Sequence, residues 1–349
     1  MLNEVFSYNL PQDVIAQRPL HPYHAAKMMV INRQQKTITD ETFFDITKYL
    51  KAGDLLILNN SRVIPARLLG RVESGGGVEL LCIKKVTPLS FRCLAKPMRK
   101  LQLGREVFFN KGLKATVQAR LSECEVLVEF SSDTDTAELI KEVGIMPIPP
   151  YIRSGKSDAE DFIDYQTFFA QEEGSVAAPT AGLHFTPELI NKIKGIGCTV
   201  SFITLHVGTA SFLPIETEDG KDLRRPGVES YLFSKNILEK INTTRTQGGC
   251  VVAVGTTTVR ALESMVQEVQ DGVDVDTEDG NLHTTEIFIT PGYSYKAIDA
   301  LVTNFHQPRT THLLLVEAFM GKALLSESYT YALTHEYRFL SYGDGMLIL

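Results

Sequence analysis

The sequence predicts an α/β protein whose chain contains two kinds of secondary structure in separate parts. From Arg67 to Ser131, short segments rich in β-branched and aromatic residues follow one another, separated by Gly, Pro, Ser or Asn. Such a series indicates a small β-barrel or sandwich. After Tyr151, apolar runs alternate with helical patterns. This alternation indicates a largely parallel sheet, either open or closed into a barrel.

The first part of the chain is predicted to be mainly strands. Leu55 to Leu58 form a continuous apolar run that ends at Asn59-Asn60, which is typical of a buried strand entering a polar loop. The helix TAELIKEVG ends at Gly144, and the prolines of MPIPPYI form a rigid connector. Six further strands are expected between the Leu55–Leu58 run and this helix. They are RLLGRV, GVELLCIKKV, SFRCLAK, REVFFN, LKATVQARL and CEVLVEFS.

The second part is predicted to alternate between strands and helices. It opens with the helix TPELINKIKGIG, in which Thr186 caps the N-terminus and Pro187 occupies the first turn. CTVSFITLHV, GCVVAVG and AIDALVTNF are the expected buried strands. The last two precede the helices TTTVRALESMVQEV and TTHLLLVEAFMGKALL.

Positive charge is concentrated in one segment of an acidic protein. The 349 residues carry a net charge of −7. Residues 51–120, here called the basic segment, contain fourteen Lys or Arg and four Asp or Glu, a balance of +10. This separation is typical of a protein with one anion-binding face, and the alternative is a solvated basic surface without a partner. The sign of the charge does not distinguish RNA from other polyanions.

Several classes of protein are disfavoured by the sequence. No run of 18 apolar residues is present, and the N-terminus lacks the basic and apolar regions of a secretion signal. The five cysteines are odd in number, and no two are closer than eleven residues. That spacing argues against zinc, iron–sulfur and disulfide frameworks. We therefore expect a cytoplasmic protein without a membrane segment or a metal.

A candidate ligand site lies where predicted strands lead into helices, because α/β domains bind ligands at the carboxyl ends of their strands. Gly255 and Thr256-Thr257-Thr258 follow a buried strand and open a helix. Such a turn binds an anion or a carboxylate through backbone N–H groups, and the alternative is an ordinary capped helix. The segment is neither a P-loop nor a GxGxxG turn.

Three histidines stand beside predicted strand ends or helix starts, namely His184, His206 and His306. A hydrogen-bonded core histidine is the alternative for each, but their shared placement favours one site. A zinc site of these three is disfavoured because no pair has helical spacing. The absence of a GxSxG elbow disfavours a Ser-His-Asp hydrolase.

Eight sequence blocks in order carry a resemblance to a known family. The blocks are NNSRVIPARL, PPYI, YQTFFA with GSVAAPTAGLHFT, TLHVG, VGTTTVRALE, FITPGY, TNFH and YRFLSYGDGMLI. Together they resemble the S-adenosylmethionine:tRNA ribosyltransferase-isomerase family of queuosine biosynthesis (QueA), from Asn3 to Leu349.

The resemblance implies a reaction, a fold and partners. The family transfers and isomerises the ribosyl moiety of S-adenosylmethionine onto 7-aminomethyl-7-deazaguanine at the wobble position of tRNA, which gives epoxyqueuosine, adenine and methionine. The implied fold is a distorted α/β barrel-like core, residues 1–64 and 151–349, with an inserted small antiparallel β-barrel, residues 65–150. We expect a monomer that acts on tRNA with a G-U-N anticodon, with S-adenosylmethionine as co-substrate and no prosthetic group.

The chemistry of the family assigns candidate roles. Proton transfers at the attacking amine, the carbon beside the sulfonium and the leaving adenine suit histidine and a carboxylate. Arginine and a helix start suit phosphate or the methionine carboxylate, and an aromatic ring suits a splayed base. The candidate catalytic residues are His184, His206, His306 and Asp344. The candidate substrate-binding residues are Arg62, Arg67, Tyr165, Gln166, Thr180, Gly182, Gly255, Thr256, Thr257, Asn304, Arg338 and Tyr342.

The sequence departs from the family pattern at four places. Ala210-Ser211-Phe212 replaces Gly-Thr-Phe, and Pro226-Gly227-Val228-Glu229 replaces a Met-His-Ser-Glu segment, so one histidine is missing. Lys27 stands where an arginine is usual. The block after TNFH differs at Gln307, Thr310 and His312.

Two other functions compete with this interpretation. Another S-adenosylmethionine-dependent RNA-modifying enzyme, such as a methyltransferase, needs a glycine-rich turn after its first strand, and none is visible. A non-catalytic tRNA-binding paralogue is expected to lose the His, Asp and Arg positions together, whereas most of them are present here.

Overall fold

The chain packs into two compact units, seen in a computed structural model that describes residues 6–208 and 225–349. Within these described residues, the first unit comprises residues up to 62, 166–172 and 178–349. The second comprises 63–165 and 173–177. The second unit therefore takes in more of the chain than the expected insert of 65–150, because the segment after the proline connector packs with it.

The strands account for both predicted parts of the chain. They are β1 (Lys27–Asn32), β2 (Thr37–Thr42), β3 (Leu55–Asn59), β4 (Ser61–Val63), β5 (Arg67–Val72), β6 (Gly77–Lys85), β7 (Ser90–Lys96), β8 (Glu106–Phe108), β9 (Lys114–Arg120), β10 (Glu125–Ser131), β11 (Glu172–Ser175), β12 (Thr199–Ile203), β13 (Leu205–His206), β14 (Glu229–Leu232), β15 (Val251–Val254), β16 (Leu282–Thr285), β17 (Ala300–Asn304) and β18 (Gly345–Ile348).

The first unit is built on a seven-stranded mixed sheet, here called the core sheet. Its strand order is β12-β3-β15-β17-β18-β1-β2. The strands from β12 to β17 run parallel, β18 is antiparallel to β17, and β1 is parallel to β18. All five residues of β3 and all four of β15 are buried, as expected for strands covered on both faces. The predicted α/β class is confirmed.

Helices occur in both units, the first two along the chain in the second unit and the others in the first. They are α1 (Thr136–Val143), α2 (Asp161–Asp164), α3 (Pro187–Gly195), α4 (Lys235–Thr246), α5 (Thr256–Gln270), α6 (Val275–Glu278), α7 (Thr311–Met320) and α8 (Lys322–Thr334). The predicted cap of α3 is confirmed, since the Thr186 hydroxyl accepts from the Leu189 N–H at 3.2 Å. The prediction of one helix through TTHLLLVEAFMGKALL is wrong. Gly321 adopts φ 84° and ψ 151°, which ends α7 and begins α8.

The second unit contains a closed barrel of six antiparallel strands in the order β10-β7-β6-β5-β8-β9. Alternate side chains of these strands fill its interior, among them Leu68, Leu80 and Val128, all fully buried. Alternation of apolar and polar residues along each strand produces this arrangement. All six strands expected between Arg67 and Ser131 are present, and the inserted antiparallel barrel is confirmed.

Two smaller sheets complete the strand pairing. β4 pairs with β11, and β13, β14 and β16 form a three-stranded sheet. Across residues 6–208 and 225–349, no helix combines the length and the apolar character needed to cross a membrane.

Candidate active site

The strand order brings several predicted residues to one edge of the core sheet. β3, β12, β15 and β17 are parallel, so their carboxyl ends meet at the same edge, here called the carboxyl edge. β18 runs antiparallel to β17, with Gly345 opposite Asn304. The amino end of β18, including Asp344, therefore lies at the carboxyl edge as well. This reversal joins the C-terminal SYGDG turn to the strand-end residues.

Thr180, Asn304 and His184 form a hydrogen-bonded chain at this edge. The Thr180 hydroxyl donates to Asn304 Oδ1 at 2.9 Å. The Asn304 amide must then turn its Nδ2 toward His184 Nε2, and these atoms are 3.3 Å apart. Nδ2 only donates, so His184 Nε2 accepts and the ring proton sits on Nδ1. That N–H faces the Tyr23 carbonyl. Both nitrogens of His184 are therefore engaged.

His184 is held as a neutral ring. It is 4% exposed and stacks on Phe43 with ring centroids 3.8 Å apart and an interplanar angle of 9°. Burial, with the charge of Arg338 as a smaller cause, lowers the pKa of His184 to about 3, although the hydrogen bond to the Tyr23 carbonyl opposes this. A buried imidazole with two partners orients its neighbours well, so the geometry favours a positioning role. Its catalytic assignment stays a prediction.

Asp344 is a buried carboxylate held by backbone N–H groups. Oδ1 accepts from the Lys27 N–H at 2.9 Å, and Oδ2 accepts from the Arg338 N–H at 2.7 Å. The Arg338 Nη2 lies 3.7 Å from Oδ1. Burial raises the pKa of Asp344 above its ordinary value, although the hydrogen bonds and the cation of Arg338 oppose this. A carboxylate in such a setting is a stronger base than one in water.

His306 is fixed by a different set of partners. Its Nε2 lies 2.8 Å from the Thr303 hydroxyl, and its backbone N–H donates to the Tyr329 hydroxyl at 2.9 Å. Its ring stacks on that of His312, with centroids 5.3 Å apart. Burial, with His312 as a second cause, lowers the pKa of His306 well below its ordinary value. Both rings are neutral near pH 7, because burial also lowers the pKa of His312 to about 4.

His206 differs from the other two histidines because one of its buried ring nitrogens has no hydrogen-bond partner among the described residues. It is partly buried at the end of β13, and its Nδ1 finds no hydrogen-bond partner among the described residues. Burial lowers the pKa of His206, although the charge of Glu172 opposes it. A neutral imidazole with a free ring nitrogen is suited to exchange a proton with a ligand.

The turn at the start of α5 is tied to the neighbouring strands. Gly255 adopts φ 89°, and its N–H donates to the Val302 carbonyl at 2.7 Å. The Thr257 hydroxyl accepts from Asn59 Nδ2 at 3.2 Å. Asn59 also donates to the Leu205 carbonyl at 2.9 Å. Thr256 is 6% exposed, so this turn is buried at the carboxyl edge.

The other predicted residues of the first unit differ in exposure and in their contacts. Arg62 is exposed and its Nη2 donates to the Ala170 carbonyl at 3.0 Å. Gln166 is half-buried and Tyr342 is buried. A Cβ on Gly182 would lie 3.0 Å from the Phe169 ring, so the backbone there packs closely.

Arg67 and Tyr165 belong to the second unit. Arg67 Nη1 donates to the Gly155 carbonyl at 2.6 Å and Nη2 to the Ile148 carbonyl at 3.3 Å, while Nε lies 3.3 Å from Glu79. Tyr165 is 0% exposed, so its ring presents no face for stacking here. Their predicted contacts with a substrate stay predictions.

Sequence reasoning missed two groups that the structure brings out. The sequence pattern marks Asn59 only as the end of a strand, yet its side chain links β3, β13 and α5. Arg260 and Glu229 form a buried ion pair in which Arg260 Nη1 donates to Glu229 Oε2. A sequence signal existed for Arg260, because it lies four residues after Thr256 and so on the same face of α5.

The departures from the family pattern have partial structural explanations. Lys27 Nζ donates to the His335 carbonyl at 2.9 Å and to the Glu336 carbonyl at 3.3 Å. His312 stacks on His306. Residues 210–212 lie outside the described residues.

No group of three or more His, Cys, Asp or Glu side chains suited to a metal occurs in the described parts of the chain. The three predicted histidines instead have separate partners, as described above.

Comparison with known proteins identifies the family of the chain. The sequence model of the family described as "Queuosine biosynthesis protein" matches residues 3–348. A protein of Thermoanaerobacter sp. (strain X514) named S-adenosylmethionine:tRNA ribosyltransferase-isomerase is 41% identical over 353 residues, which cover 100% of both chains. A protein of the same name from Thermotoga petrophila is 41% identical over 344 residues, with 99% of this chain and 98% of the relative covered.

A solved structure agrees with these relatives. The crystal structure of an S-adenosylmethionine tRNA ribosyltransferase from Thermotoga maritima covers 99% of both chains, with 35% sequence identity and a TM-score of 0.56. The family match spans nearly the whole sequence, and the match to the solved structure covers 99% of this chain. The chain therefore belongs to the queuosine biosynthesis protein family, the QueA family to which its eight sequence blocks point.

Proposed function

We propose that this chain transfers and isomerises the ribosyl moiety of S-adenosylmethionine onto 7-aminomethyl-7-deazaguanine at the wobble position of tRNA. Epoxyqueuosine forms, and adenine and methionine leave. One observation carries the proposal: relatives named for this activity match the chain from end to end at 41% identity. The grouping of Asn304, His184 and Asp344 at the carboxyl edge supports it.

Asp344 acts as the base that removes the proton from the carbon beside the sulfonium. Two backbone N–H groups hold its carboxylate in place, and its raised pKa strengthens it as a base. Arg338 stays beside it and balances its charge. Nearby positive charge on the sulfonium acidifies the carbon, so a carboxylate base suffices.

His206 receives a proton from the attacking amine of the deazaguanine. Its ring is neutral and carries a buried nitrogen without a partner among the described residues. His184 and Thr180 position the Asn304 amide, which hydrogen-bonds the leaving adenine or the ribose. His306 is a positioning residue in the same edge, because Thr303 and Tyr329 already hold it.

The RNA substrate is tRNA with a G-U-N anticodon, bound as a monomeric enzyme–tRNA complex through the anticodon loop. The basic segment supplies the phosphate contacts. Seven of its cations, on or beside the barrel strands, are exposed and form no ion pair within the described residues: Arg71, Lys84, Lys85, Arg99, Arg105, Lys114 and Arg120. Such contacts give affinity without base specificity. The reaction needs S-adenosylmethionine as co-substrate and no prosthetic group.

The experiment uses the purified protein, tRNA carrying the deazaguanine precursor, and S-adenosylmethionine labelled separately in its ribosyl and methyl groups. Ribosyl label in the RNA, with release of adenine, supports the proposal. Methyl label in the RNA indicates a methyltransferase, and binding without turnover indicates a non-catalytic paralogue. The matched control is the same tRNA with guanine at the wobble position, which lacks the attacking amine and is expected to accept no label.

A further inference from the structure

We propose that Arg260 binds the carboxylate of the methionine moiety of S-adenosylmethionine through the edge formed by its Nε and Nη2 atoms. The inference rests on the proposed function and adds the subsite that holds the amino-acid end of the co-substrate. Among the arginines predicted from the sequence, Arg67 and Arg338 each have one buried nitrogen without a hydrogen-bond partner in the described residues, whereas Arg260 has two on one side of its guanidinium.

Arg260 is a buried cation with unused donors. It is 7% exposed, and its Nη1 donates to Glu229 Oε2. Its Nε and Nη2 have no hydrogen-bond partner among the described residues. Buried donors without a partner are rare, since each has lost water without gaining a replacement. An unpaired edge on a buried arginine therefore points to a ligand that supplies the acceptors.

The free atoms form the geometry that a carboxylate requires. Nε–H and Nη2–H lie on the same side of the planar guanidinium and point in parallel. A carboxylate accepts from such a fork with both oxygens. Glu229 fixes the opposite side, because its Oε1 also accepts from the Gly208 N–H at 3.1 Å. The free edge of Arg260 is thus held in one orientation.

Charge balance favours an α-amino acid over a phosphate. Arg260 and Glu229 cancel one another, and Glu229 is 1% exposed in its side chain. A phosphate would add net negative charge to this buried pair. The amino-acid end of the methionine moiety carries one carboxylate and one ammonium, so this end adds no net charge beside Arg260 and Glu229.

The surroundings leave Arg260 as the charged group of a narrow pocket with a mainly apolar lining. Its other lining residues include Pro226, Ile287, Ile289, His312 and Leu315. His312 stacks on His306, which follows Asn304 by two residues at the carboxyl edge. The chain therefore runs directly from Asn304, which is proposed to contact the adenine or the ribose, to His312 in this pocket.

The first turn of α5 is less suited to the same carboxylate. Thr257 already accepts from Asn59, and the Thr258 hydroxyl donates to the Val254 carbonyl at 2.6 Å. Arg338 is also less suited. Its Nη1 donates to the Arg18 carbonyl at 3.3 Å. Its Nη2 has no hydrogen-bond partner among the described residues but lies 3.7 Å from Asp344 Oδ1, so a second carboxylate there would meet the negative charge of Asp344. The carboxylate subsite therefore lies at Arg260, one helical turn along α5 from the expected position at Thr256.

The test compares two ligands by calorimetry: S-adenosylmethionine and its decarboxylated analogue, which lacks only the carboxylate. The wild type is expected to prefer S-adenosylmethionine by at least about tenfold. Arg260→Gln is expected to lose that preference, with little change in affinity for the analogue. Arg260→Lys keeps the charge without the fork, so it retains only part of the preference.

Two controls keep the result interpretable. Arg245→Gln removes an arginine that is paired with Asp299 on the surface at 3.0 Å, and it is expected to leave the preference unchanged. Arg260→Gln with Glu229→Gln removes both buried charges, so it separates loss of the fork from an unpaired Glu229. If both Arg260 variants fold and keep the wild-type preference, the subsite is elsewhere. Ribosyl transfer by the wild type would then leave the proposed function standing, whereas a wild type that binds no S-adenosylmethionine overturns both.

Discussion

At the scale of single residues, hydrogen-bond partners separate histidines that look alike in the sequence. His184 has both ring nitrogens engaged, whereas His206 Nδ1 has no partner in the described residues. One partner of His184 is Asn304, 120 residues away in the chain. The sequence predicts that both histidines lie near strand ends, but it does not show which ring has hydrogen-bond partners on both nitrogens. Those partners are set by contacts between residues far apart in the chain.

Asp344→Asn is expected to reduce ribosyl transfer by about 10²- to 10⁴-fold while S-adenosylmethionine still binds. An amide is not a base, and its NH₂ also faces a backbone donor where the carboxylate accepted one. Single-turnover kinetics with labelled S-adenosylmethionine measure the loss.

Asp54→Asn is the matched control for this variant. Asp54 is also buried and also accepts from two backbone N–H groups, those of Lys51 at 2.9 Å and Cys250 at 2.8 Å. It precedes β3, at the opposite edge of the core sheet. Equal losses of turnover in the two variants would show that Asp344 matters only for folding.

His184 makes stability depend on pH. Its pKa is about 3 in the folded chain and about 6.5 when unfolded. Between these values the unfolded state binds more protons, so stability is present above pH 6.5 and is lost as the pH falls toward 3. Between pH 7 and pH 5 the wild type is expected to lose about 2 kcal/mol more than His184→Gln.

Urea denaturation followed by circular dichroism at both pH values measures this difference. Taking wild type minus variant cancels the contributions of the other titrating groups. Parallel pH dependence in the two proteins would mean that the His184 ring is not desolvated in the folded state.

At the scale of elements, the sequence predicted what local patterns control. The six barrel strands, the buried strands of the core sheet and the cap of α3 are all present. The break between α7 and α8 was missed because the apolar residues continue on both sides of Gly321. The antiparallel insertion of β18 between β17 and β1 was not predictable, since strand order depends on contacts across the whole unit.

Gly345 illustrates how closely β18 packs against its neighbours. A Cβ there would lie 2.8 Å from the Phe43 ring and 2.9 Å from the Thr303 carbonyl oxygen. Gly345→Ala is expected to destabilise the protein by about 1–3 kcal/mol, because the carbonyl is backbone and cannot turn away. Gly195→Ala, at the last residue of α3 with nothing within 4 Å of the new Cβ, is expected to be neutral or slightly stabilising.

Thermal or urea unfolding of the two alanine variants distinguishes the effects. A Gly345→Ala protein as stable as Gly195→Ala would indicate that β18 moves to accept a side chain. Such movement would also shift Asp344, the residue before it.

At the scale of the whole molecule, charge is distributed between the two units in a way that the sequence already indicated. The basic segment carries +10 within a chain of net charge −7, and most of it folds into the second unit. The sequence did not show which cations are free. Pairs such as Arg92 with Glu125 at 2.5 Å neutralise some of them, and that pairing depends on the barrel register.

Lys84 and Lys85 provide a direct test of the RNA-binding role of this surface. Both are exposed, at the end of β6 beside an apolar cleft of the second unit, and they form no ion pair within the described ranges. Changing both to Glu is expected to weaken tRNA binding. It is also expected to reduce the slope of log K against log salt by about 2, because binding then makes two fewer phosphate contacts and releases correspondingly fewer counterions.

Lys36→Glu with Lys194→Glu is the control, because it makes the same charge change at exposed positions of the first unit. Filter binding over a salt series measures both slopes. An equal reduction in the two double variants would mean that net charge alone, and not this surface, governs the affinity.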